Sequence, residues 1–352
     1  MGPTGPCPGY RTRLREMWRA TVAGHICADL QPRLGGEEHI VPGAIVEVGP
    51  LDIRPGGSVA NTGGDLAALG AQVLLVADLG DDELGSTVLR ALSPVGADCR
   101  GIRQVTGLTT SYSLVFEPPG ADRSFWHHVG ANASFDGSRV QPDAVDLVHL
   151  GYPALLPLMY ADCGTGLRDV LARIREAGAT TSLDLSAVAP GSPAAQVDWR
   201  LLLHRTVPLV DVLSPSVDDL VSALGVARPK SLSEVRELGL DLLGLGAAVV
   251  LLTNGALGMH LFTAHQDRLS CAGRCLSDRA ETWSDRELYL PASASGPLVT
   301  TGAGDAATAG LLFGILSGSG AEEAAVIASR AAALKVAGDK RPLRYAVTAR
   351  SS

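Results

Sequence analysis

"PLVTTGAGDAATAGLLFGIL" spans residues 297–316, and its reading decides the fold. Gly302, Gly304 and Asp305 stand directly before an apolar, alanine-rich run, so the segment reads as a tight loop turning into a helix. Glycines let a backbone approach a phosphate closely. The helix start adds free N–H donors and the positive end of the helix dipole. Together they can hold the negative charge of a transferring phosphoryl group. A carboxylate beside such a hole is repelled by an anion unless it has its own task, such as accepting the proton of an attacking hydroxyl. The plain alternative is that Asp305 is a helix cap, where Asp is favoured. The segment by itself leaves both readings open.

The chain has 352 residues, a formal net charge of -8 and 46% hydrophobic residues. That suits two domains, or one large α/β domain with an appendage. The acidic balance, with no internal Lys/Arg cluster, argues against a nucleic-acid partner. The six cysteines (Cys7, Cys27, Cys99, Cys163, Cys271 and Cys275) form no C-x-x-C. Cys271 and Cys275 have no matching histidine pair, which disfavours zinc. Reduced thiols in a cytoplasmic protein are expected. No apolar run reaches the ~18 residues of a membrane span. Residues 1–19 lack the apolar segment of a secretory signal and read as a disordered tail. Residues 341–352 read as a second tail.

Between the tails, "ATVAGHICADL" (20–30) reads as one strand ending near Asp29. "AIVEVGPLDIRPGG" (44–57) and residues 109–135 alternate apolar and polar residues as strands with one wet face do. From "VDLVHLGYP" onward, strands alternate with helices, the signature of βαβ units and a parallel sheet covered on both faces. The alternating regions are off that pattern and are expected to form a small separate sheet from two insertions, about 36–56 and 108–131, in a core of 20–340. Residues 264–296 read as a long loop.

Three further segments offer chemistry. In "PGGSVANTGGDLAALG" (55–70), Gly56 and Gly57 make a turn and Asn61 follows near a helix start. An amide that both donates and accepts suits a polyol, although a turn and a capped helix explain the pattern too. Asp29, at a strand end, could accept from two vicinal hydroxyls or be a solvated turn residue. "LLTNGALGMHLF" (251–262) places T-x-G-x-x-G, with Thr253, Gly255 and Gly258, after a buried strand, where it could lie against a nucleotide. There is no G-x-x-x-x-G-K-[ST] and no G-x-S-x-G.

Taken in order from about residue 21 to 338, these segments resemble the ribokinase-like, or PfkB, family of carbohydrate kinases. "GGSVANTGGDLAALG" with "ADLGDDELG" is similar to its N-terminal signature and "TTGAGDAATAGLL" to its C-terminal one. The resemblance implies a ribokinase-like α/β fold with a mostly parallel central sheet, helices on both faces and a small β-sheet lid. It implies transfer of the ATP γ-phosphoryl to a hydroxyl of a small sugar. Asp305 would then be the general base, and the amides of Gly302, Ala303 and Gly304 the anion hole. Asp29, Gly56, Gly57 and Asn61 would bind substrate, and Thr253, Gly255, Gly258 and Thr301 would line the ATP site. Asp82 would shape the site through its turn. ATP and Mg²⁺ are the implied cofactors, and a homodimer through the lid the implied assembly.

Three positions depart from the family pattern. Val299 stands where the family carries an Asp that helps bind an activating monovalent cation, so potassium dependence is not carried over. Ser216-x-x-Asp219 replaces N-x-x-E, leaving Asp219 to reach Mg²⁺ through water. Gly151 and Tyr152 stand where a ribokinase has Glu, so the chain does not read as a ribokinase proper. A nucleoside kinase is the alternative enzyme, with Phe125 or Trp126 stacking on a base; lid packing explains both rings as well. A non-catalytic sugar-binding regulator on the same fold is the alternative outside enzymes.

Overall fold

The computed structural model describes residues 19–36, 42–118, 123–143, 145–292, 302–338 and 343–348. The chain opens with strands β1 (Arg19–Gly24), β2 (Cys27–Pro32) and β3 (Leu51–Gly56). Helix α1 (Ser58–Leu69), β4 (Gln72–Gly80), α2 (Glu83–Leu92) and β5 (Asp98–Val105) follow. Next come β6 (Tyr112–Phe116), β7 (Ser124–His128), β8 (Leu147–Gly151), α3 (Pro157–Glu176) and β9 (Thr180–Asp184). Then come α4 (Trp199–Thr206), β10 (Val212–Leu213), α5 (Val217–Leu224), α6 (Leu232–Gly244), β11 (Val249–Thr253) and β12 (Met259–Thr263). Three short helices, α7 (Gln266–Ser270), α8 (Arg274–Ser277) and α9 (Ala280–Trp283), lead to β13 (Glu287–Leu290). Helices α10 (Ala303–Ser317) and α11 (Ala321–Val336) close the core.

Nine strands form the main sheet in the order β13-β12-β11-β10-β9-β8-β1-β4-β5. The pairs from β11 to β5 are parallel, and β12 and β13 add antiparallel at one edge. Strand side chains point alternately to the two faces. Val22, Leu75 and Leu251 accordingly fall in one apolar cluster with α1, α10 and α11. Ala23, Val76 and Val250 fall in the other, with α3, α4 and α6. Burying a Val or Leu side chain stabilises by about 1.5–3 kcal/mol, so a strand buried on both faces is well fixed. The ribokinase-like α/β architecture expected from the sequence is the one observed.

The order of strands reverses at β1. From there the chain adds β4 and β5 on one side, then returns to add β8 through β11 on the other. Such a reversal opens a crevice at the carboxyl ends of the strands. Helix α10 lies over it, buried all round. Small residues let α11 approach closely: a Cβ on Gly310 would lie 2.7 Å from Ala328 Cα.

A second sheet of four strands has the order β3-β2-β6-β7. Its bounds correct two expectations. The apolar run 20–30 is two strands, not one. The break falls at Gly24, whose φ of 121° a side chain would resist and whose added Cβ would sit 2.5 Å from the Gly151 carbonyl oxygen. Asp29 therefore lies within β2 of the small sheet rather than at the end of a core strand. Residues 264–292 also differ from the long loop expected, since they carry three short helices and an edge strand. Each of these helices buries little more than one anchor (Leu269, Leu276, Trp283), too few to make a visible helical period.

Candidate active site

Gly302 holds φ 76°, ψ 8° and precedes α10 without a side-chain cap. The first N–H groups of an α-helix have no intrahelical acceptor, which leaves those of Ala303, Gly304 and Asp305 for a ligand. Among the described residues, nothing lies within 4 Å of where a Cβ on Gly304 would be. Thr301 lies outside the described residues.

Asp305 is 4% exposed. Its carboxylate accepts from Thr62 Oγ1 at 2.8 Å and Asn61 Nδ2 at 3.1 Å, both on α1. The Tyr152 hydroxyl lies 2.8 and 2.9 Å from its two oxygens. The carboxylate is thus held between α1 and the end of β8, and the cap position belongs to Gly302. Burial pushes its pKa above the ordinary carboxylate value, while the bonds from Thr62, Tyr152 and Asn61 and the charge of Lys335 pull it back. Behind Thr62 runs a buried relay. Ser58 Oγ lies 3.4 Å from Thr62 Oγ1 and 3.1 Å from His149 Nε2, and His149 Nδ1 lies 2.8 Å from Ser182 Oγ. Burial drops His149 to about 3, so the ring is neutral.

Two more acids face Asp305. Asp184 ends β9, and burial followed by the charges of Asp305 and Asp219 raises its pKa well above the usual range. Asp219 sits in the first turn of α5, accepting from the Ser216 N–H at 2.8 Å while its own N–H bonds Ser216 Oγ at 3.0 Å. Burial lifts it to about 6. Tyr152, stacked on His25, is pushed well up by burial and by Asp305, Asp184 and Asp219, so its phenol keeps its proton.

The substrate candidates meet opposite this cluster. Cys27, Asp29, Ser113 and His127 share one face of the small sheet. Cys27 Sγ lies 3.4 Å from Asp29 Oδ1, and Ser113 Oγ lies 3.1 Å from His127 Nδ1. Burial raises the Asp29 pKa. A Cβ on Gly56 would strike the Asp29 carboxylate at 2.4 Å, and one on Gly57 would strike His25 Nδ1 at 2.5 Å. The two glycines therefore make room for two polar side chains. Among the described residues, neither ring nitrogen of buried His25 has a hydrogen-bond partner, and the same is true of His127 Nε2. Asp82 lies apart, tying Gly85 and Thr110 where the chain enters β6.

Thr253 ends β11 and bridges to Ser216, the residue capping α5 beside Asp219. Gly255 has φ 51°, and no described residue lies within 4 Å of where its Cβ would be. Gly258 has φ 89°, and its Cβ would strike the Leu290 carbonyl at 2.2 Å. Its glycine is thus required by packing on β13, whatever binds the loop.

The sequence reading did not single out Asp184, His25, Lys335 or Tyr152 as a donor to Asp305. Asp184 was within reach, since "SLDLS" puts an acid at the end of a buried parallel strand.

An α/β core with its crevice at a helix N-terminus, roofed by a small sheet, defines the ribokinase-like class. A family model described as pfkB family carbohydrate kinase matches residues 19–339, and the chain belongs to that family. It is 25% identical over 261 residues to the aminoimidazole riboside kinase of Salmonella typhimurium, covering 74% of this chain and 73% of that one. Arabidopsis thaliana ribokinase complexed with ribose and ATP superposes with a TM-score of 0.70 at 20% identity, over 93% and 95% of the two chains. A putative ribokinase II from E. coli, in complex with ATP and Mg²⁺, gives 0.67 at 18% identity, over 94% and 96%. Among the described residues no helix is long and apolar enough to cross a membrane.

Proposed function

We propose that the protein transfers the γ-phosphoryl of ATP to a hydroxyl of a small sugar. The observation that carries this reading is the juxtaposition of Asp305 with the uncapped N-terminus of α10. The amides from Gly302 to Asp305 take up the charge on the transferring group, and the Asp305 carboxylate takes the proton of the incoming hydroxyl. Phosphoryl transfer asks mainly for positioning and charge neutralisation. The Tyr152 phenol, fixed in its protonated form, together with Thr62 and Asn61 aims the carboxylate.

The acceptor binds between the two sheets. Asp29 accepts from substrate hydroxyls, Asn61 supplies an amide, and the unpartnered nitrogens of His25 and His127 suit further hydroxyls. ATP lies along Thr253, Gly255 and Gly258. Mg²⁺ is a hard cation that favours one or two carboxylates with phosphate and water. Asp184 fits it directly, while Asp219, committed to its capping bonds, fits through water. When bound, the metal would neutralise phosphate charge.

Phe125 lies on the pocket face of the small sheet and Trp126 on the other, so a single lid ring is available to a base. The opposite face presents the apolar row Ile53, Leu30, Leu114 and Trp126, which suits pairing with a second copy. A coupled assay of ADP release over a panel of sugars and nucleosides tests the reading. Turnover with a sugar that disappears in Asp305→Ala is expected; no turnover with any acceptor rejects it.

A further inference from the structure

Lys335, in the last turn of α11, projects beneath the turn that precedes α10. A Cβ on Gly302 would lie 3.1 Å from Lys335 Cε and 3.8 Å from its Nζ. The stem therefore passes directly against the αL residue that starts the anion hole. Asp65 on α1 anchors the head, with Nζ 3.1 Å from each of its oxygens. Asp65 lies four residues after Asn61, on the same face of α1. The same Cβ on Gly302 would lie 3.9 Å from Asn61 Cγ. The ammonium is thus pinned to the buried acid and lies against the glycine turn, whose other neighbour is the acceptor-side amide of Asn61. Its charge reaches Asp305, favouring the ionised base.

An exposed ion pair would mean little, since such pairs are worth about 0–1 kcal/mol. This one differs in its acid, which is buried. It differs also in place, because it sits at the positive end of the α10 dipole, where like charge is normally disfavoured. A cation there gains a purpose when an anion arrives in front of the turn.

We propose that Lys335 is the built-in cation of the phosphoryl-transfer loop: a positioning residue whose ammonium holds the Gly302 turn and supplies the positive charge that a bound monovalent ion would otherwise have to bring. In sequence, Val299 and not an acid stands three residues before Gly302. The proposal rests on the phosphotransferase reading.

The test compares wild type, Lys335→Met and Lys335→Gln in buffers holding tetramethylammonium, potassium or ammonium as the monovalent cation. Wild type is expected to turn over equally in all three. The variants are expected to lose about two- to thirty-fold in kcat, the range for a close charge at a helix terminus, with little change in the KM for sugar. Potassium and ammonium, but not the bulky tetramethylammonium, should recover part of that loss and raise the variants' melting temperature while leaving wild type unmoved. Strong potassium activation of wild type, variants as fast as wild type in tetramethylammonium, or variants that neither ion rescues would each overturn the proposal. The melting arm needs no turnover. An inactive wild type would reject the kinase reading, while the cation response of the variants would still decide the role of Lys335.

Discussion

The Tyr152 hydroxyl sits astride the Asp305 carboxylate, 2.8 Å from one oxygen and 2.9 Å from the other. Tyr152 reaches it from a left-handed backbone conformation (φ 63°, ψ 55°) directly after β8. Non-glycine residues rarely hold that conformation, which costs of order 1–3 kcal/mol. Here it points a phenol, kept neutral by burial and three nearby acids, at the proposed base. Replacing it with Phe removes a donor to a charged acceptor, worth about 1.5–3 kcal/mol. The pKa of Asp305 should rise further, so the acidic limb of the kcat profile should move to higher pH. Asp65, Asp184, Asp219, Asp29 and Lys335 act on the same carboxylate and remain in place. An unmoved limb in a folded Tyr152→Phe protein would show that the phenol does not tune Asp305.

Asp305→Ala should lower kcat by about 10²–10⁴-fold, the usual contribution of a positioned base. The KM for sugar should stay within a few-fold of wild type, because Asp29 is untouched. A loss shared equally between binding and turnover would place Asp305 in substrate recognition instead.

Asp184→Asn keeps the shape of the side chain and removes its charge. If Asp184 faces Mg²⁺, the magnesium concentration needed for half-maximal rate should rise by about ten-fold, the usual range for a lost metal contact. Sugar KM should not follow. An unchanged magnesium requirement would return Asp184 to a structural role.

Asp219 titrates near pH 6 in the folded protein against an ordinary value of 3.8. Between these values the folded state binds more protons than the unfolded one. Its contribution therefore favours folding at low pH and is lost as pH rises from 3.8 to about 6. Asp219→Asn keeps an acceptor for the Ser216 N–H, so the cap survives. The difference in melting temperature between variant and wild type should shift in the variant's favour across that window and level off above it. Asp218, Asp305, Asp184 and Tyr152 face the same group and are common to both proteins. A constant difference across pH 4–7 would reject the raised value.

What the sequence disclosed and what it hid divide along a physical line. Asp305, the Gly302 turn and Asn61 were legible because each sits in a contiguous run whose glycines and helix start are visible locally. His25, Tyr152 and Asp184 were harder, since each gains its meaning only when β1, β8 and β9 are laid side by side. Lys335 was hidden by distance: its partner Asp65 is 270 residues away, and nothing in "AAALKVAGD" marks that lysine. The break between β1 and β2 was hidden differently, in an unbroken apolar run where one left-handed glycine redirects the chain into the other sheet.

The register of the small sheet sets a polar row on one face and an apolar row on the other. Across its four strands, Arg54, Asp29, Ser113 and His127 form one row, while Ile53, Leu30, Leu114 and Trp126 form the next. The polar row carries Asp29 toward Asp305. The apolar row looks outward, with Ile53 40% and Trp126 51% exposed and Leu51 beside them at 56%. A contiguous apolar patch on a sheet is the signature of a covered surface, and a second lid presents the same patch for a two-fold pairing. Wild type should therefore run as a dimer by light scattering. Trp126→Asp should shift it to monomer, because a charge in the apolar row cannot be solvated once the two sheets meet. Ile53→Asp should act alike from the opposite edge strand. A monomeric wild type at micromolar concentration, or variants that stay dimeric, would mean that this face is not where two copies meet.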